Sequence, residues 1–83
     1  MKTPRYRSLK QAVDAFAAEM LEKLRQKKID GWRGWCDAGN VPGLRRALVA
    51  HVATGDPIDV ANYCMFLWNL NQPTMPTSEE AAT

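Results

Sequence analysis

At 83 residues the chain is one small domain, and a core of that size hides only about 60% of the unfolded surface, so its stability needs a metal, disulfides or self-association. Two cysteines, Cys36 and Cys64, exclude a disulfide framework, and their spacing matches no zinc motif. The net charge of +2 is small, but basic residues gather at Lys2, Arg5, Arg7 and Lys10, at Lys23, Arg25, Lys27 and Lys28, and at Arg33, Arg45 and Arg46, giving a surface that is either ordinarily solvated or able to meet phosphates.

Residues 1–7 read as a flexible basic arm, and residues 8–70 as a single helical domain. Ser8 and Gln11 form a capping-box pattern, and Leu9, Ala12, Val13, Phe16, Met20, Leu21 and Leu24 recur at helical spacing, so a first helix is expected over about 9–28. Glu19 and Lys23 are an i,i+4 ion pair in the favourable order. A loop follows from Ile29 to Asn40, rich in glycine and carrying Trp32, Arg33 and Trp35. Its tryptophans either plug the open end of the core or anchor a partner, with Arg33 for phosphate or carboxylate.

Asn40 and Pro42 suit the start of a second helix over about 41–54, with Val41, Leu44, Ala47, Leu48 and Val52 as its apolar stripe. His51 is the only histidine and reads as a surface or capping group near that helix's C-terminus. Gly55, Asp56 and Pro57 then supply a left-handed stop, an N-cap and a first helical residue for a third helix over about 57–70, with Asp59 placed to reach back to the cap.

This third helix is apolar on most sides. Asp59, Asn62 and Asn69 fall within roughly 80° of one another and form a narrow polar stripe, facing either solvent or a buried site. A helix so apolar needs cover on most sides. The expected fold is all-α: a three-helix antiparallel bundle with this helix at its centre, a Gly/Trp-rich loop and a disordered tail over 71–83. A dimer or higher oligomer is expected, with Met65, Phe66 and Trp68 at the contact. The chain shows no signal peptide and no apolar run long enough to span a membrane, so the expected location is cytoplasmic, in a bacterial host cell.

The segments Gly31-Trp32-Arg33-Gly34-Trp35 and Gly55-Asp56-Pro57-Ile58-Asp59-Val60-Ala61-Asn62-Tyr63-Cys64-Met65 resemble small phage and prophage proteins related to the MazG-like, all-α nucleoside triphosphate pyrophosphohydrolases. The resemblance spans about residues 12–70. It implies that Asp59 matches the family aspartate, Asn62 the following asparagine, and Asp56, one methylene shorter, the glutamate of Glu-x-x-Asp. In that family these acids and a Glu-Glu-x-x-Glu helix hold magnesium against the nucleotide phosphates. Here the second helix carries no acid, and no Asp or Glu occurs between Asp37 and Asp56.

Magnesium requires hard oxygen ligands, and two carboxylates per chain are a poor set. The leading expectation is therefore a non-catalytic, phage-type interaction protein that binds and inhibits a host defence or regulatory complex, protein or nucleoprotein. Trp32, Arg33, Trp35, Arg45, Arg46, Asp59 and Asn62 are its candidate binding residues, and no cofactor is called for. One alternative is a nucleotide-binding or nucleotide-sequestering protein, in which Arg33, Arg45 and Arg46 meet phosphates, a tryptophan stacks on the base and Asn62 bonds it. The other is a weak magnesium-dependent pyrophosphohydrolase using Asp56 and Asp59.

Overall fold

A computed structural model of the chain describes residues 4–82, and among these it is all-helical. Four α-helices follow in order: α1 (Leu9–Gln26), α2 (Val41–Thr54), α3 (Pro57–Asn69) and a short α4 (Ser78–Ala82). Residues 1–3 and 83 lie outside the described residues, and with them part of the expected basic arm. Residues 4–8 are exposed bends leading into α1.

Each boundary has a local cause. The Ser8 hydroxyl accepts from the Gln11 backbone N–H at 3.0 Å and starts α1. Lys28, at φ 54°, turns the chain out of that helix two residues earlier than the apolar spacing predicts. The expected irregular loop is instead three consecutive 3₁₀ turns, Ile29–Gly31, Arg33–Cys36 and Ala38–Asn40. Asn40 precedes α2 without capping it, because its side-chain amide donates to the Gly34 carbonyl at 3.1 Å.

Gly55, at φ 87°, closes α2, with its N–H on the His51 carbonyl. Asp56 caps α3 by accepting from Ile58 N–H at 2.9 Å, and Pro57 fills the first helical position. At the other end Asn71 adopts φ 57°. Gln72 N–H bonds the Leu67 carbonyl at 2.9 Å and Asn71 N–H the Trp68 carbonyl at 3.0 Å, the paired bonds of a Schellman stop.

The core is small. Val41, Leu44 and Leu48 of α2 and Phe66 and Leu67 of α3 are its buried apolar residues, with Leu24, Ile29, Trp35, Val60, Tyr63, Cys64, Met65 and Leu70 packed partly against them. Both α2 and α1 pack on α3, so the third helix is the one the others cover. Trp32 and Trp35 close the end of the core, with ring centroids 6.2 Å and 5.9 Å from that of Phe66.

Three expectations are corrected. The apolar stripe of α1 contributes no buried residue: Leu24 and Met20 are half-buried, while Leu9, Val13, Phe16 and Leu21 are exposed. Phe66 cannot form an oligomer contact, because it is 1% exposed at the centre of the core; Met65 is half-buried and Trp68 lies open. The expected disorder after residue 70 is absent up to residue 82. There the chain turns, forms α4 and is tied to α2 through Arg45.

Candidate functional site

The acids that the sequence singles out meet at the junction of three helices. Asp56 caps α3 and Asp59 lies one turn further on, so both carboxylates face the C-terminal half of α1. That half supplies lysines spaced one turn apart. Lys23 bridges both acids: its ammonium is hydrogen-bonded to Asp56 and lies 3.0 Å from an Asp59 oxygen. Lys27 reaches the other Asp59 oxygen at 3.1 Å. From α2, His51 Nδ1 lies 3.6 Å from Asp59, and its ring stacks on Tyr63 with centroids 4.8 Å apart.

Asp59 is the most enclosed member, with 13% of its side chain exposed. Burial pushes its carboxyl up, but hydrogen bonds from Lys23 and Lys27 outweigh that and hold it below its ordinary value of 3.8. Asp56 is lowered chiefly by its hydrogen bond to Lys23 and further by the Ile58 N–H. The same bonds to Asp56 and Asp59 raise Lys23 above 10.5.

This donor set is sparse for magnesium, which takes six oxygen ligands in near-octahedral order. Among the described residues no group of three or more His, Cys, Asp or Glu side chains is placed to hold a metal ion. The face of α2 beside the acids offers His51 rather than a carboxylate, and the two acids that remain are already neutralised by ammonium groups at hydrogen-bonding distance. The Lys23 and Lys27 ammonium groups balance the charge of the two acids.

Asn62 lies one turn beyond Asp59 and is buried at 3% exposure. Its Nδ2 donates to the Met20 carbonyl of α1 at 3.2 Å, and its Oδ1 has no hydrogen-bond partner. The polar stripe of α3 therefore turns toward α1 over Asp59 and Asn62 and reaches solvent at Asn69. An unpaired buried amide oxygen costs about 1–3 kcal/mol.

The other candidate residues do not converge on this place. Arg45 is 5% exposed and fully engaged by the C-terminal segment: Nε donates to the Pro73 carbonyl at 3.0 Å, one terminal nitrogen to Glu80 at 2.5 Å and the other to Gln72 at 3.2 Å. Its guanidinium is thus committed to the chain's own tail rather than to a phosphate. Arg33 and Arg46 are exposed, and Trp32 keeps 38% of its surface open. Gly34 is required beneath Trp32, because a Cβ there would overlap the indole ring.

Sequence reasoning missed the partners. Lys23 reads as the mate of Glu19, yet its acids come from 33 and 36 positions further on. Lys27, the His51–Tyr63 stack and the Arg45–Glu80 pair are likewise products of helix packing, without a local signal. Comparison of the chain with protein-family models, with curated proteins and with solved structures returned no match.

Proposed function

We propose that the chain is a non-catalytic interaction protein on a helical scaffold that resembles a pyrophosphohydrolase with its metal site converted into a structural ion-pair cluster. The observation that carries this reading is Lys23 seated between Asp56 and Asp59. An acid pair bridged by its own lysines ties α1 to α3, and a phosphate–metal complex would have to displace those lysines. What the molecule offers to a partner instead is aromatic and cationic: Trp32 beside Arg33 on the 3₁₀ segment, Arg46 on α2, and Trp68 at 76% exposure on α3. Tryptophan and arginine are the side chains that most often anchor protein interfaces. A host defence or regulatory complex is the partner class this reading carries forward.

Two measurements test it. Nucleoside triphosphates incubated with the protein and magnesium or manganese should release pyrophosphate at the buffer rate, and Asp59→Asn should not change that rate. Turnover that disappears in Asp59→Asn would return the cluster to catalysis. Affinity capture with the wild type should recover a partner from a bacterial lysate that a Trp32→Ala, Arg33→Ala, Trp68→Ala variant does not. Equal recovery by both would remove those side chains from the interface.

A second reading, a nucleotide binder, is favoured by one feature, a cleft of about 460 Å³ between α1, Trp35 and α3, with Arg25 and Asn69 on its walls. Its size lies within the range of small-molecule sites. A nucleotide bound there should raise the melting temperature in a saturable way, and the rise should vanish in Trp35→Leu. No rise with any nucleoside triphosphate or cyclic nucleotide would eliminate it.

A further inference from the structure

From Leu9 to Met20, α1 carries an apolar stripe that the described chain covers only in part, toward Phe16 and Met20. Leu9, Ala12, Val13, Phe16, Ala17 and Met20 share one side of the helix, with Lys10, Asp14 and Glu19 placed off it. Leu9 is 86% exposed, Val13 65% and Phe16 39%. Phe16 lines two depressions, one of about 730 Å³ toward Pro57 and Ile58 and one of about 350 Å³ over Val13 and Met20. The stripe is thus a ridge with space beside it, the surface against which another helix packs.

The area asks for an occupant of definite size. The chain exposes 6600 Å², whereas a monomer of 9.3 kDa is expected to expose about 5,000 Å². The excess, about 1,600 Å² over the whole chain and shared with the exposed residues 4–8 and 71–79, is about twice what one partner gives to a standard interface, so the surface for one such contact is present. The radius of gyration, 14.4 Å, likewise exceeds the roughly 12 Å of a closed domain of this length.

We infer that a second copy of the chain covers this face, with the two α1 helices antiparallel across a two-fold axis near Asp14 and Ala15, the middle of the stripe. A stripe on one helix is complementary to itself under such an axis, so every copy brings the cover it needs. About that axis the antiparallel sense sets Arg7, just ahead of the helix, and Lys10, which also pairs with Asp14 of its own helix, beside the stretch of the other copy that holds Glu19 and Glu22. It also opposes the helix dipoles, whereas a parallel pair would stack like ends together. Ala12 and Ala17 let the two backbones approach closely. The contact differs from the α3 surface expected from sequence and goes beyond the partner reading, which uses the Trp32 and Trp68 surfaces.

Sedimentation of the full chain at about 10–100 μM, an ordinary range for homodimers of this interface size, is the test. The wild type should run as a dimer. Val13→Glu should run as a monomer at every concentration in that range, with its helical circular dichroism unchanged. Leu9→Lys, at a more exposed position, gives the same readout should Val13→Glu unfold. A monomeric wild type overturns the proposal. So does a dimer that survives a folded Val13→Glu or Leu9→Lys, including one that Trp68→Ala dissolves. Orientation is read by oxidation in a background lacking Cys36 and Cys64: Leu9→Cys with Met20→Cys should cross-link between copies, and cross-linking of Leu9→Cys alone would refute the antiparallel sense.

Discussion

The two ends of this molecule are built from equally regular helices and hold together for different reasons. Where α2 meets α3, Leu44 and Phe66 are each 1% exposed and Leu67 is fully enclosed. Along α1, a helix of 18 residues and about 27 Å, no residue is buried. The α2–α3 interface is held by dispersion and by removal of apolar surface from water. The α1–α3 interface combines the partial burial of Met20 and Leu24 and the Asn62–Met20 hydrogen bond with ion pairs of Lys23 and Lys27 to Asp56 and Asp59. A small chain can therefore spend most of its apolar area on one helix pair and attach a third through a few side chains and ion pairs at one end, leaving the other half of that helix largely uncovered.

Truncation separates the two ends most sharply. Phe66→Ala or Leu44→Ala should destabilise by about 3–5 kcal/mol in urea unfolding and leave little folded protein. Val13→Ala on α1 should cost under about 1 kcal/mol under the same conditions below the dimer concentration. A comparable loss at both places would mean that α1 is as well packed as α2.

Next in size is the latch on the C-terminal segment. Arg45→Met should cost about 2–3 kcal/mol, since it removes the three hydrogen bonds of a guanidinium that is 5% exposed. Residues 71–82 should also become sensitive to limited proteolysis in that variant and stay resistant in the wild type. Equal resistance would show that the tail is held by something other than the guanidinium.

Smaller still is the charge clamp on α1. Asp56 and Asp59 are lowered from 3.8, so their contribution is complete above that pH and is lost as pH falls through their folded-state values. Lys23 is raised above 10.5, so its contribution is complete below that pH and is lost as pH rises through its folded-state value. The contribution of this cluster to the melting temperature should therefore be lost at both pH extremes, with the acid-side fall diminished in Asp59→Asn. An acid limb identical in that variant would show that other carboxylates carry the pH dependence.

The smallest expected effect is at Gly34. Gly34→Ala should move the Trp32 indole and change the tryptophan emission, with a loss of about 1 kcal/mol. Unchanged emission would mean that the indole lies elsewhere.

Much of the fold is legible locally. Ser8, Gly55, Asp56 and Pro57 mark helix ends through φ preferences and side-chain oxygens that reach two or three residues, which are properties of short segments. The apolar run from Val60 to Leu67 makes α3 the helix that needs cover from two sides, and it has it. The candidate site was legible only in part. Asp56, Asp59 and Asn62 stand out by residue type, and Asn62 is buried, but nothing near them in the chain says whether a metal, water or a lysine faces them.

Sequence by itself determined the helical class, the caps at Ser8, Gly55 and Asp56 though not at Asn40, and the absence of carboxylates on α2, because these depend on residue identity and on spacings shorter than two turns. Tertiary structure alone decided that Lys23 closes the acid pair, that Arg45 is consumed by Gln72, Pro73 and Glu80, and that the apolar stripe of α1 has only partial cover within the described chain. The physical reason is range. A cap or a helical stripe is fixed within one segment, but the partner of a charge or of an apolar face is set by which surfaces meet, and helix packing joins groups 27 to 36 residues apart.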